Sequence, residues 1–232
     1  MSVIFITGAN RGIGLSLTQQ YLEGSHKVYA TYRDANSAKE LLSLADHNSN
    51  LTCIQLEITD YQAVSHLTSQ IESIDILINN AGYYGPKGYG LGNTDVEEWR
   101  RVFEVNTIAP LKLVETLLPL IESSDVKKIA CLSSRVGSMS ENTSGGGYIY
   151  RSSKAALNSV VKSLSNDLTD NGVTVLALHP GWVQTEMGGP NALIDTDTDT
   201  DTSASGLIKV IESANTEVSG HFFNFDGSEI DW

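Results

Sequence analysis

Short apolar runs alternate with longer amphipathic stretches along almost the whole chain. Seven such runs occur, over residues 3–6, 27–31, 51–56, 74–78, 128–132, 173–178 and 220–225. Short strands that are apolar on both faces and separated by helices are typical of a parallel sheet covered on both sides. The pattern therefore predicts an α/β fold with a mostly parallel seven-stranded sheet and helices on both faces. Because no proline- or serine-rich linker and no repeat divides the chain, we expect one doubly wound domain over residues 1–232.

Helical periodicity predicts four main helices, over residues 12–22, after Asp60, over 98–121 and over 148–168. Pro110 lies inside the third helix, and a proline cannot donate to the carbonyl four residues back. We therefore expect a kink there, with the freed carbonyl of Asn106 able to hold a water molecule that connects to Lys154. An apolar stripe on the last helix could cover the sheet or a partner subunit, and the sheet is favoured.

Charge and cysteine content exclude several classes of function. The formal net charge of −13 argues against a nucleic-acid surface and against docking on anionic lipid. No apolar run approaches the roughly 20 residues of a membrane span, and the N-terminus lacks the pattern of a signal peptide. Cys53 and Cys131 lie inside apolar runs, which indicates buried free thiols rather than a disulfide or a metal site. We therefore expect a cytoplasmic protein without a bound metal.

Residues 195–202 alternate aspartate and threonine. The alternating carboxylates suggest a cation loop at first sight. The glycine and the closing glutamate of an EF-hand are absent, however. A solvated, mobile loop is therefore the preferred interpretation, with an ion-binding role as the lesser alternative.

A glycine-rich turn follows the first predicted strand and precedes the first helix. Such a turn presents free helix N–H groups and the positive end of the helix dipole to a diphosphate. Gly8 permits the turn, Gly12 lets the backbone approach phosphate, and Gly14 lets the helix pack closely on the sheet. The spacing differs from that of a P-loop, and no Gly-Lys-Ser/Thr follows. The turn predicts a Rossmann-type dinucleotide site whose contacts include Gly8, Asn10, Arg11, Gly12, Ile13 and Gly14.

The end of the second strand predicts which dinucleotide is bound. NAD-binding proteins usually place an acidic residue there to hold the ribose hydroxyls, and residues 30–33 contain none. Arg11 and Arg33 could instead both reach a 2′-phosphate, for which the guanidinium fork is well matched. The alternative is two solvated surface arginines. We therefore favour NADP(H), with NAD(H) possible.

Tyr150 and Lys154 begin the last long helix with the spacing Y-x3-K, which puts both side chains on one helix face. A tyrosine has a pKa of about 10, so a nearby ammonium that lowers it helps the phenol act as an acid or base near neutrality. This spacing alone is common on solvated helix faces. Here Ser134 closes the fifth strand and residues 79–82 close the fourth, where α/β sheets present their functional residues.

Together these motifs resemble the short-chain dehydrogenase/reductase family over nearly the whole chain. Within that family, the sequence is most similar to the subgroup of C-factor and sniffer-type carbonyl reductases. The family motifs occur in the expected order: Thr7-Gly8-x3-Gly12-x-Gly14, Asn79-Asn80-Ala81-Gly82, Asn106, Ser134, Tyr150-x3-Lys154 and Pro180-Gly181. The subgroup resemblance is carried by residues 150–158, His179–Val183, 185–190, 225–227 and Trp232.

The resemblance implies a role for each matching residue. Tyr150 would protonate the carbonyl oxygen, Lys154 would lower the pKa of Tyr150 and hold the nicotinamide ribose, and Ser134 would bind the substrate oxygen. Asn106 would anchor the water of a proton relay. Further cofactor contacts would come from Glu57, Ile58, Asn80, Ala81, Gly82, Pro180, Gly181, Val183 and Thr185.

Three positions need comment. Ser134 precedes Tyr150 by more residues than is usual in the family, and Ser138 has the shorter spacing, but Ser134 matches the motif at the strand end. Glu57 stands where an aspartate is common. His179 is expected to be structural, because Tyr150 and Lys154 already fill the proton-transfer role.

The resemblance implies an NADP(H)-dependent reductase of a small, mostly apolar carbonyl compound, or the reverse oxidation of an alcohol. The mouth of the substrate cleft would be bordered by Trp182, Met187, Tyr83 and Tyr84. The alternative is a C-factor-like nucleotide-binding signalling or regulatory protein with weak or no turnover. An extended nucleotide-sugar epimerase is not expected, because the length leaves no room for a C-terminal substrate domain. A homodimer or homotetramer through the two long helices is also implied.

Overall fold

A computed structural model describes residues 1–183 and 199–232 of the chain. Seven strands form one sheet in the order β3-β2-β1-β4-β5-β6-β7, and every pairing is parallel. The strands are β1 Val3–Ile6, β2 Lys27–Tyr32, β3 Leu51–Gln55, β4 Ile76–Asn79, β5 Lys128–Leu132, β6 Thr174–His179 and β7 Phe222–Asn224. The prediction of a single α/β domain with a seven-stranded parallel sheet is confirmed.

Helices cover both faces of the sheet. They are α1 Gly12–Glu23, α2 Lys39–Asp46, α3 Tyr61–Ser65, α4 Val96–Phe103, α5 Ala109–Glu122, α6 Tyr148–Asp167 and α7 Thr200–Ser213. Alternate side chains of each strand enter different cores, so Phe5 packs beneath α5 and α6 whereas Ile4 and Ile6 pack beneath α1 and α7. The apolar stripe of α6, which includes Leu157 and Val161, lies in the first core, as expected for a helix that covers the sheet.

The predicted continuous helix over residues 98–121 is wrong in one respect. A π-helical segment, Glu104–Ile108, separates α4 from α5, and the backbone N–H of Ala109 bonds to the carbonyl of Glu104 five residues back. Pro110 explains the break because it has no N–H to donate and its ring crowds the carbonyl of Asn106. The irregularity therefore falls where the proline predicts it, as one wide turn.

The expectation of a mobile loop over residues 195–202 is wrong for its second half. Asp199 caps α7 by accepting a hydrogen bond from the Thr202 N–H at 2.7 Å. The carboxylate of Asp201 accepts a bond from the Ser16 hydroxyl at 2.6 Å, which ties this first turn to α1. Aspartate is a favoured N-cap, so the repeat starts a helix instead of extending the loop. Residues 195–198 lie outside the described part of the chain.

None of the described helices is long and apolar enough to cross a membrane. Because all seven strands are parallel, their carboxyl ends lie at one edge of the sheet. The chain crosses over at β1, which has β2 on one side and β4 on the other. Crevices at such a switch point are where α/β sheets bind ligands.

Candidate active site

The glycine turn after β1 approaches the end of β4 as closely as backbones can. Gly8 has a φ of +64°, and a Cβ placed on it would lie 2.9 Å from the Cα of Ala81. A Cβ on Gly14 would lie 2.4 Å from the carbonyl oxygen of Gly8 and 2.5 Å from Nδ2 of Asn80. Gly12 also has a positive φ, +54°. These glycines permit a narrow backbone cradle that other residues would fill.

Hydrogen bonds tie the cradle to neighbouring strands. The Thr7 hydroxyl oxygen accepts bonds from the backbone N–H groups of Asn80 and Ala81, both at 3.0 Å. The side-chain amide of Asn80 donates to the carbonyls of Thr7 and Gly8 at 2.8 and 3.0 Å. On the other side, the Gly8 N–H donates to the Thr31 hydroxyl at 3.2 Å. Asn80 thus holds the turn in shape, together with two threonines that sequence analysis did not select as site residues.

The first turn of α1 suits a phosphate. Its N-cap residue, Arg11, makes no side-chain capping bond, so its own side chain does not compete with a ligand for the first helical N–H groups. The Asn10 side chain donates to the Ser37 carbonyl at 3.2 Å, which ties the turn to the segment after β2. Ile13 packs against the core beneath α1. The positive φ angles, the narrow cradle and this helix end fit a dinucleotide diphosphate.

Arg33 lies just beyond β2 with its side chain 69% exposed. Its guanidinium is 3.8 Å from the Glu57 carboxylate, which also accepts a bond from the Thr59 hydroxyl at 3.1 Å. An exposed pair of this kind contributes little stability, so the arginine remains available to another anion. Ile58 is different, because its side chain is buried in the core under α5.

Tyr150 and Lys154 lie side by side on α6 and face the ends of β4 and β5. The Lys154 ammonium is 5.8 Å from the centre of the Tyr150 ring and donates to the Leu132 carbonyl at 2.7 Å. The Ser134 side chain hydrogen-bonds the Tyr150 side chain. Gly137 allows this arrangement, because a Cβ there would lie 2.8 Å from the backbone carbon of Lys154.

The electrostatics of the pair differ from the sequence prediction. Burial raises the pKa of Tyr150 above its usual value, the Tyr84 side chain raises it further, and the bond with Ser134 lowers it. Burial also lowers the pKa of Lys154 to about 8. The pKa of Tyr150 is therefore raised, and the lowering predicted from Lys154 is wrong for this state of the site. Tyr150 keeps its proton at neutral pH.

Ser138, the other candidate serine, is 2% exposed, and its hydroxyl accepts a bond from the Glu141 N–H at 3.1 Å. Its oxygen is thus engaged in a local turn. Of the two serines, Ser134 is the one bonded to Tyr150.

Asn106 connects three parts of the site through its side chain. Its Oδ1 accepts from the Tyr83 N–H at 2.8 Å, and its Nδ2 donates to the Tyr83 carbonyl at 2.8 Å and to the Ser153 hydroxyl at 3.0 Å. Ser153 in turn donates to the carbonyl of Tyr150 at 2.8 Å. The amide therefore clamps the segment that follows β4 onto α6. The water molecule expected on the backbone carbonyl of Asn106 stays a prediction.

The end of β6 supplies Pro180, Gly181 and Val183, and Gly181 has a φ of +84°. Burial lowers the pKa of His179 to about 4, which leaves this side chain neutral at ordinary pH. Trp182 is 54% exposed.

Two expected site residues, Thr185 and Met187, lie outside the described residues, as does the 185–190 segment. Among residues 1–183 and 199–232, no group of three or more His, Cys, Asp or Glu could hold a metal ion.

The site is that of a dinucleotide-binding oxidoreductase, with a tyrosine beside a lysine and a serine. The family model for short chain dehydrogenase matches residues 2–193, so the chain belongs to the short-chain dehydrogenase/reductase family. The C-signal protein of Myxococcus xanthus is 43% identical over 159 residues, which cover 68% of this chain and 93% of that protein.

Two solved structures are similar over the full chain. The carbonyl reductase Sniffer of D. melanogaster is 33% identical with a TM-score of 0.93, and all of both chains is covered. The NADPH-bound carbonyl reductase from chicken fatty liver is 32% identical with a TM-score of 0.92, covering 100% of this chain and 94% of that one. The predicted family and subgroup are thereby confirmed.

Proposed function

We propose that the chain is an NADP(H)-dependent carbonyl reductase that exchanges a hydride between nicotinamide and a small carbonyl or alcohol. The observation that carries the proposal is the Tyr150 phenol, which hydrogen-bonds the Ser134 side chain and lies beside Lys154 at the end of β5. A neutral phenol in this position can donate a proton to a carbonyl oxygen as negative charge develops there.

The chain's own groups divide the work. Tyr150 donates its proton to the carbonyl oxygen in reduction and accepts one in oxidation, and Ser134 donates a second hydrogen bond to that oxygen. Lys154 adds positive charge near the phenolate that remains, and Asn106 keeps the backbone around Tyr83 in place. The nicotinamide, when bound, supplies or accepts the hydride.

The preference for NADP(H) rests on two arginines. Arg33 is exposed just beyond β2, and Arg11 is the N-cap residue of α1, so both would face the adenosine ribose of a dinucleotide bound in the cradle. A guanidinium makes strong bonds with phosphate. The similar carbonyl reductase from chicken fatty liver is an NADPH-bound structure, which supports the same choice. The remaining proposed cofactor contacts are Gly8, Asn10, Gly12, Ile13, Gly14, Glu57, Ile58, Asn80, Ala81, Gly82, Tyr150, Lys154, Pro180, Gly181, Val183 and Thr185.

Assembly and location are part of the proposal. We propose a homodimer or homotetramer through α5 and α6 by family analogy alone. The apolar stripe of α6 packs on the sheet and therefore gives no separate support for a subunit contact. The free thiols of Cys53 and Cys131 fit a reducing compartment such as the cytoplasm.

A second candidate function is nucleotide-dependent signalling or regulation with weak or no turnover. The 43% identity with the C-signal protein favours it. The serine, tyrosine and lysine of the site weigh against it, because a pure binding protein has no need of a tyrosine held beside a lysine and a serine.

Fluorescence titration with NADPH and NADH, followed by a panel of aldehydes and ketones, tests the proposal. We expect tighter binding of NADPH and consumption of NADPH in step with alcohol formation. Tight binding without turnover on any carbonyl would contradict the reductase and leave the second candidate.

A further inference from the structure

The ring of Tyr84 lies directly against the ring of Tyr150. The ring centres are 4.7 Å apart and the planes are inclined by 33°. Aromatic pairs favour offset arrangements with centres 4.5–7 Å apart, so this contact is a favourable one. Tyr84 remains 38% exposed although this contact covers part of it. An aromatic surface is therefore open to solvent immediately beside the proposed acid.

The backbone around Tyr84 holds the ring there. Asn106 bonds both the N–H and the carbonyl of Tyr83, at 2.8 Å each. Directly after Tyr84, Gly85 turns with a φ of +82°, and a Cβ there would lie 2.9 Å from Cγ2 of Val102. The chain is thus fixed on both sides of Tyr84.

Tyr83 points to a different set of partners, although sequence analysis treated the two tyrosines as one pair. Its hydroxyl donates to Glu98 at 3.2 Å, and the guanidinium of Arg101 lies 4.8 Å from the centre of its ring. Of these two neighbours, Tyr84 is therefore the one that borders the acid.

We propose that Tyr84 is a specificity-determining residue, whose exposed ring binds a planar, unsaturated group attached to the reacting carbonyl. The inference rests on the proposed function. A carbonyl oxygen that accepts bonds from Tyr150 and Ser134 brings its substituents alongside the ring packed on Tyr150. A conjugated substituent can stack on that ring, whereas a saturated one gains only from buried area.

The same ring shields the phenol of Tyr150 from water. Removing it admits solvent, which favours the charged phenolate and lowers the pKa of Tyr150. The ring thereby links substrate choice to the pH range in which the acid keeps its proton.

The test compares benzaldehyde with cyclohexanecarbaldehyde, which have the same number of ring carbons but differ in planarity. The measured quantity is the ratio of kcat/KM for the two aldehydes with NADPH, in wild type, Tyr84→Phe, Tyr84→Leu and Tyr84→Ala. Leu91→Ala is the control, since Leu91 belongs to the same connection and is 90% exposed. Binding of NADPH and circular dichroism are recorded for every variant.

We expect Tyr84→Phe and Leu91→Ala to keep the wild-type ratio. In Tyr84→Leu and Tyr84→Ala the ratio should fall about 2- to 10-fold, mainly through KM for benzaldehyde, the range expected for an aromatic pair. The alkaline limb of kcat/KM should also move to lower pH in Tyr84→Ala. NADPH affinity should not change.

Two results would overturn the inference, and they are distinguishable. If Tyr84→Leu and Tyr84→Ala reduce both aldehydes at the wild-type ratio, the proposed role of Tyr84 is wrong and the reductase stands. If the wild type binds NADPH but reduces neither aldehyde nor any other carbonyl, the proposed function fails and the role of Tyr84 fails with it.

Discussion

Gly137 controls how closely the end of β5 approaches the catalytic turn of α6. Its φ is not positive, so the effect of an alanine there depends only on whether the added methyl group fits. The added Cβ would lie 2.8 Å from the carbonyl carbon of Lys154, 2.9 Å from its Cβ and 3.0 Å from the N of Ala155. An ordinary contact begins near 3.4 Å, so the two segments must separate by about 0.6 Å.

We expect Gly137→Ala to weaken both the fold and the site. Overpacking of this kind costs about 1–3 kcal/mol. Each kcal/mol lowers Tm by about 2–4 °C in a domain of this size, so the melting point should fall by about 2–12 °C. The shift also moves Tyr150 and Lys154 relative to Ser134. Since a 1 Å misplacement can cost about 100-fold, a shift of about half that size should lower kcat/KM about 10-fold.

Thermal unfolding and steady-state reduction of a carbonyl with NADPH measure the two effects. Gly90→Ala is a matched control, because Gly90 has an ordinary φ and the nearest atom to an added Cβ is 3.9 Å away. Wild-type Tm and kcat/KM in Gly137→Ala would refute the reasoning. A lower Tm with unchanged kcat/KM would show that the contact between Gly137 and Lys154 affects stability but not activity.

Three further predictions concern single side chains. Arg33→Ala should weaken NADPH binding about 10-fold or more in fluorescence titration, because a charge-assisted hydrogen bond to the 2′-phosphate is lost, and should leave NADH binding unchanged. Arg100 is equally exposed, and Arg100→Ala should change the binding of neither cofactor. Ser134→Ala should lower kcat about 10- to 100-fold, whereas Ser138→Ala should leave kcat unchanged; equal effects in steady-state kinetics would contradict the assignment. The pKa of Lys154 falls from 10.5 to about 8 on folding, so between these values the unfolded chain binds more protons and the free energy of unfolding rises with pH. The free energy of unfolding of Lys154→Met, relative to that of the wild type, should therefore fall by up to about 1.4 kcal/mol per pH unit between pH 8 and 10. Urea titrations that give the same difference at every pH would contradict this prediction.

The parts of the fold that follow from local pattern could be predicted from the sequence. Strands buried on both faces are apolar throughout, so their number and parallel arrangement were accessible from the runs alone. Tyr150 and Lys154 share a helix face because of their spacing. Pro110 placed the irregular turn beside Asn106, since a missing N–H acts on its own neighbours.

The remainder depends on contacts between residues far apart in the chain. The π-helical segment is stabilised by Thr107, whose hydroxyl donates to the Ser153 carbonyl at 2.9 Å on another helix. The opposite directions of Tyr83 and Tyr84 depend on Glu98 and on Tyr150. Local spacing contains none of these partners.

Electrostatics were harder still to predict. The spacing of Tyr150 and Lys154 suggested an ammonium that lowers the tyrosine pKa. In the folded chain Lys154 is buried and Tyr150 is partly buried, and this loss of water shifts each pKa so that the neutral form is favoured. Burial is a property of the whole fold and has no local signature.

Tyr150 is the proposed proton donor of an NADPH-dependent carbonyl reductase. The most direct measurement compares NADPH affinity and kcat/KM for a carbonyl in Tyr150→Phe, in wild type and in Tyr148→Phe, a control exposed on the same helix. We predict that Tyr150→Phe binds NADPH as wild type does but loses at least about 100-fold in kcat/KM, while the control keeps both values. Wild-type turnover in Tyr150→Phe would show that the Tyr150 hydroxyl is not the proton donor.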